Sequence, residues 1–226
     1  MTLQSAAQFG LMTVLCFVSI GAIKFTPIRK CEGFKNRIKC YFKSTPKETA
    51  YFIIMFAATV AVNILLITFY KDNSLIFNMK RNAAMAVLWI AAYFDAKSYR
   101  IPNKLIITGL AYRAVILIFE LIFKREGLMK TLLNELVAAV IMLIISFLCM
   151  LIIKNGLGMG DAKLFMVIGL LLGLTGTMSV TAVSLLVTFF EAIFLLIFKK
   201  KGRKDSIAFA PSILIGGLLA MGFLGA

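Results

Sequence analysis

Asp161 follows a glycine-rich turn, Gly156, Leu157, Gly158, Met159 and Gly160, set between two apolar stretches, and Asp95 closes another apolar run. A carboxylate held near lipid depth is costly and is usually functional. The chain contains no histidine, which excludes a Ser-His-Asp triad, a Cys-His pair and an HExxH zinc site. If the chain breaks bonds, carboxylates are the leading candidates to do it. Two carboxylates that share a site cannot comfortably both ionise, so one keeps a proton near neutrality. The ionised partner can take a proton from water while the protonated one polarises a carbonyl. That is peptide-bond hydrolysis with no metal, cofactor or covalent intermediate. A helix N-terminus stabilises negative charge and a helix C-terminus opposes it. On those grounds Asp161, expected at a helix start, reads as mainly the base, and Asp95, expected near a helix end, as mainly the acid.

The residues around the two aspartates have physical reasons to be there. Gly156, Gly158 and Gly160 are able to take positive φ and to admit another backbone closely, such as an extended peptide pairing along an exposed edge. A glycine-rich helix connector explains them equally well. In Ile101, Pro102 and Asn103 the proline forces an extended turn, because the residue before it avoids the α region. Lys163 either steadies Asp161 or touches substrate, or it is a lysine snorkelling from a helix end. Glu191, deep in an apolar run, is either a site residue or a protonated packing residue. Arg113 calls for an acidic partner that the sequence does not identify. Glu120 and Glu135 are expected at the outer interface. Trp89 faces lipid or core, and Asn63 is expected in a helix–helix hydrogen bond.

The elements that must position these groups follow from composition. Hydrophobic residues make up 61% of the 226 and mean hydropathy is +0.95, beyond an ordinary soluble domain. Apolar runs long enough to span a bilayer lie at Gln4 to Ile23, Ala50 to Tyr70, Lys104 to Phe123, Lys130 to Ile153, Met178 to Phe198 and Ile207 to Phe223. Shorter runs lie at Asn82 to Phe94 and Ala162 to Thr175, with a reversal expected at Thr175, Gly176 and Thr177. In lipid each helix satisfies its own backbone. The expected fold is thus all-α and polytopic, with about eight transmembrane helices. Residues 1–81 supply two N-terminal helices joined by a basic loop at 24–49, and residues 82–226 a six-helix core.

The net charge of +15 reads as topology and not as nucleic-acid binding. With the N-terminus outside, most Lys and Arg fall on one side. The other side receives only Lys71, Lys80, Arg81, Lys124, Arg125 and Lys130. The richer side is cytoplasmic, and parity puts Asp95 and Asp161 there together. Cys16 and Cys149 lie in apolar runs, while Cys31 and Cys40 in the basic loop lack zinc-ligand spacing.

The two motifs together resemble the type IV prepilin peptidase family. Its first pattern is an aspartate, five residues and Ile-Pro-Asn, here Asp95 followed by Ile101, Pro102 and Asn103. Its second is GxGD followed by x-Lys-Leu, here Gly158, Met159, Gly160, Asp161, Ala162, Lys163 and Leu164, with Gly169 and Gly173 further on. The resemblance runs from about Asn82 to the C-terminus. It implies an inner-membrane aspartic endopeptidase, with Asp95 and Asp161 as its catalytic pair. Its substrates would be prepilins or pseudopilins, whose short basic leaders it cuts at the cytoplasmic face. Bifunctional members carry paired CxxC motifs in a cytoplasmic insert and also N-methylate the product. The 24–49 loop lacks those pairs, so methyl transfer is not expected. Two rivals share some features. One is a presenilin or signal-peptide-peptidase type protease, though Phe209, Ala210, Pro211 and Ser212 match its Pro-Ala-Leu motif poorly. The other is a transporter whose aspartates carry protons or ions, though the chain shows no internal repeat.

Overall fold

Long apolar runs punctuated by proline and glycine set the helices of this chain. The computed structural model describes residues 10, 12–15, 19–21, 46–70, 73–123, 126–152, 158–198 and 208–225. Residues 12–15 and 19–21 are helical. The long helices are α1 (Pro46–Phe69), α2 (Leu75–Ser98), α3 (Asn103–Phe123), α4 (Leu128–Ile152), α5 (Met159–Ile197) and α6 (Ala210–Phe223). Among the described residues there is no strand. Four helices, α1, α3, α4 and α5, are long and apolar enough to cross a membrane. The protein is an all-α polytopic membrane protein.

Helices α1 and α2 begin well before their apolar runs. Proline suits the first helical position, where its missing N–H costs nothing, and α1 starts at Pro46, so the last residues of the expected 24–49 loop are helical. The remainder of that loop, with Cys31 and Cys40, lies outside the described residues. Helix α2 starts at Leu75, not at Arg81 and Asn82. Ser74 caps it by accepting the Phe77 N–H at 3.3 Å.

Helix α2 is the axis of the bundle. It is buried on every face from Asn78 to Asp95, and α3, α5 and α6 all pack on it. Alanines at 83, 84, 86, 91 and 92 let those neighbours approach closely, as small residues do in membrane bundles. Helix α1 docks through Asn63 Nδ2, which donates to Asn82 Oδ1 at 2.9 Å, and through Tyr51 OH, which donates to the Trp89 carbonyl at 2.6 Å. Trp89 is core. Outward faces carry Ile118, Val140, Phe190 and similar residues, as lipid contact requires.

Because α2 is shielded, it can carry charges that a lipid-facing helix could not. Lys80 and Arg81, expected on the outer side where the third span starts, are buried within it. Lys80 Nζ lies 2.5 Å from both Glu120 Oε1 and Glu135 Oε1. Arg113 Nε donates to Glu135 Oε2 at 2.8 Å, and its Nη2 lies 2.9 Å from Glu120 Oε2. Glu120 and Glu135 are thus not interfacial but buried, and they are the acids that Arg113 requires. The reason is charge neutrality: two cations and two anions from α2, α3 and α4 cancel where none could stand alone.

The expected reversal at Thr175, Gly176 and Thr177 is instead made at Gly173. Those three residues are helical, and Gly173 has φ 69° and ψ −173° inside α5. Both halves of α5 meet the start of α6. The Phe165 ring is 5.8 Å from the Phe209 ring, and Ser212 donates to Glu191. In a straight helix residues 165 and 191 would stand about 39 Å apart. The chain therefore folds back at Gly173, which has no Cβ to resist left-handed backbone. Gly169 packs so tightly on α4 that a Cβ there would lie 2.9 Å from the Ala139 nitrogen.

Candidate active site

Asp95 stands in the last turn of α2 and is 6% exposed. The helix stops four residues later because Tyr99 adopts left-handed backbone (φ 51°, ψ 31°), and its N–H donates to the Asp95 carbonyl at 2.9 Å. That conformation costs a non-glycine residue roughly 1–2 kcal/mol. It turns the chain into Ile101 and Pro102, and Asn103 opens α3.

Asp161 lies in the first turn of α5. Gly158 is the N-cap, and its N–H donates to Asp161 Oδ2 at 3.2 Å. The glycines act here by the space they leave. Gly158 has φ −82°, and Gly160 is not among the positive-φ glycines, so left-handed backbone is not what they provide. A Cβ on Gly160 would lie 3.0 Å from the Ile101 Cβ, and one on Gly158 would lie 3.1 Å from Asp161 Oδ2. Gly156 lies outside the described residues.

The two motifs meet at one end of the bundle. Lys163 Nζ donates to Asn103 Oδ1 at 3.0 Å, and Ile101 packs on Gly160. The carboxylates of Asp95 and Asp161 are near enough for their charges to act on each other. Asp161 Oδ1 is buried without a hydrogen-bond partner among the described residues. Lys163 is therefore a bridge between motifs. Pro102 makes the extended turn that brings Asn103 and Ile101 to the start of α5.

Sequence reasoning missed a third contributor. The Ala210 N–H, at the start of α6, donates to Asp95 Oδ2 at 2.9 Å. Each aspartate thus receives an N-terminal helix amide. At Asp95 the α6 amide offsets the opposition to charge expected from the C-terminal end of its own helix. A backbone donor has no side-chain signature, and only Pro211 in the first turn of α6 marked a helix start here. Also missed was Glu48 on α1, which accepts from Tyr93 OH at 2.9 Å and from Lys97 Nζ at 2.8 Å. It ties α1 to the turn of α2 that carries Asp95.

Two interacting carboxylates thus stand at one end of a bundle of apolar helices, beside a glycine-shaped helix start, in a polytopic membrane protein. The sequence model of the type IV leader peptidase family matches residues 83–224, well over half of the chain. The chain belongs to the type IV leader peptidase family and is a membrane peptidase of that kind. No curated protein and no solved structure matches it. The matched region begins inside α2, so α1 lies outside it, while Trp89, Tyr93 and Lys97, which α1 contacts, lie within it.

Proposed function

We propose that this protein is an aspartic endopeptidase which removes the short basic leader from type IV prepilins or pseudopilins at the cytoplasmic face, with Asp95 and Asp161 activating water. The observation that carries the reading is the meeting of two motifs remote in sequence, through the Lys163–Asn103 hydrogen bond and the interacting carboxylates. The unpartnered Oδ1 of Asp161 is an atom left to receive a proton.

In this mechanism one ionised carboxylate takes a proton from water as the water oxygen attacks the scissile carbonyl. The other, protonated, carboxyl donates to the carbonyl oxygen and stabilises the charge that develops there. Collapse of the tetrahedral intermediate breaks the C–N bond, and the proton drawn from water passes to the leaving amine. The products are a leader carboxylate and a new N-terminus. Amide donors from α5 and α6 hold Oδ2 of each aspartate, leaving the other oxygens to the reaction. Neither metal nor cofactor has a part in these steps, and methyl transfer is not part of the reading.

The test is cleavage of a prepilin by purified protein in detergent, followed by mass. Asp95→Asn and Asp161→Asn should each lower the rate by at least roughly 10²–10⁴-fold while leaving expression intact. Cleavage at the unmodified rate by either variant would overturn the assignment. A methyl donor in the same digest should leave the product mass unchanged.

A further inference from the structure

We propose that Glu191 and Ser212 position Asp95, by fixing the start of α6, whose first amide holds Oδ2 of Asp95. The inference rests on the two-aspartate reading above and adds residues to it.

Helix α6 has no cap of its own. Phe209 is its N-cap residue and makes no side-chain cap hydrogen bond. The first amides of a helix are left without intrahelical partners, and here Asp95 of α2 fills that role for Ala210. A catalytic carboxylate is then also a helix cap, and where it points depends on where α6 begins. Two contacts set that start. Ser184 on α5 lies so close to α6 that a Cβ on Gly216 would come within 2.6 Å of its backbone. Seven residues along α5, Glu191 Oε2 accepts the Ser212 hydroxyl at 2.6 Å, with Ser212 fully buried. The first contact fixes the separation of the helices, and the second fixes the first turn of α6 against sliding.

The placement of Glu191 supports the same role. It sits between Phe190 and Phe194, both largely exposed on the outer face of α5, where an acidic residue is costly. It accepts a hydrogen bond from the helix start that holds Asp95. Without Glu191, more of the hold on the first turn of α6 would fall to Asp95, which also does the chemistry. A misplacement of about 1 Å in a catalytic group can lower a rate roughly 100-fold.

The experiment is steady-state cleavage of a synthetic prepilin by the full-length protein in detergent, with Asp95→Asn as reference and thermal melting as a folding control. Glu191→Ala and Ser212→Ala should each lower kcat by about 10–100-fold with KM within about twofold, because the substrate contacts are not removed. Glu191→Gln should recover the rate to within about threefold of wild type, since its amide oxygen accepts the same hydrogen bond. The double Ala variant should be no slower than the slower single one, as expected of residues acting through one contact. Should Glu191→Ala fail to fold, Ser212→Ala, which deletes a single hydroxyl, carries the same test. Wild-type kcat in Glu191→Ala beside an inactive Asp95→Asn would overturn this proposal alone. So would a loss confined to KM, or a Glu191→Gln as slow as the Ala variant. Wild-type cleavage by Asp95→Asn would remove the two-aspartate reading, and this proposal with it.

Discussion

The proposed chemistry turns on a shared proton, which has a direct kinetic consequence. If Asp95 and Asp161 work as one base and one acid, protonating both at low pH removes the base, and ionising both at high pH removes the acid. The expected profile of kcat/KM against pH therefore falls on both sides of a maximum. A profile with no fall at high pH would argue against a required acid. The contacts joining the motifs can be tested in the same assay. Asn103→Ala takes away the partner of Lys163; a charge-assisted hydrogen bond contributes about 1.5 kcal/mol at the low end of its range, so cleavage should fall roughly tenfold. Gly160→Val puts a branched side chain where a Cβ alone would already lie 3.0 Å from Ile101. It should separate the motifs and lower cleavage by at least about tenfold, with Gly160→Ala milder. These positions were legible from the sequence because types and spacing carried the signal. Ala210 was not, since its contribution is a backbone amide.

At the scale of the elements, α2 and α5 depart most from simple hydrophobic runs, and each departure has a measurable cost. The ionic cluster of Lys80, Arg113, Glu120 and Glu135 is separated from Asp95 by fifteen residues of α2, about 22 Å along the axis. Glu135→Gln leaves two buried cations with one full anion. Breaking a buried pair in this way costs roughly 3–5 kcal/mol. The expected outcome is a lower melting temperature in detergent, with kcat of the folded fraction unchanged. Gly173→Ala places a Cβ at φ 69°, 2.6 Å from Asn134 Nδ2. It should destabilise by at least about 1–2 kcal/mol, read in the same melting experiment. Lys80 and Arg81 were read at the outer edge of their span because an apolar run ends, on paper, where the first charge appears. Which charges neighbouring helices shield and neutralise is a tertiary matter.

For the molecule as a whole, the bundle brings the end of α2 and the starts of α3, α5 and α6 together, and the basic residues Lys97, Arg100 and Lys104 lie at that end. By the distribution of positive charge this end should face the cytoplasm. A cysteine-free background with Arg100→Cys or Met129→Cys reads this directly. A membrane-impermeant maleimide applied to intact cells should label Met129→Cys, at the start of α4, and should label Arg100→Cys only after the membrane is opened. The reverse pattern would put the aspartates on the other side. Helix α1 belongs to the same picture. It lies outside the matched family region, yet through Glu48, Tyr51 and Asn63 it holds α2 along its length.

The amino-acid sequence by itself determined what is local. Apolar run length set an all-α membrane architecture, and the motif spacing around Asp95 and Asp161 pointed to the family. Only the tertiary structure decided which distant groups meet. It folded α5 at Gly173, neutralised Lys80 and Arg113 with Glu120 and Glu135, and brought the Ala210 amide to Asp95. The physical reason is range. Helix formation depends on neighbours within a turn or two, whereas a buried charge or an orphan helix amide is satisfied by whatever packing delivers from elsewhere in the chain.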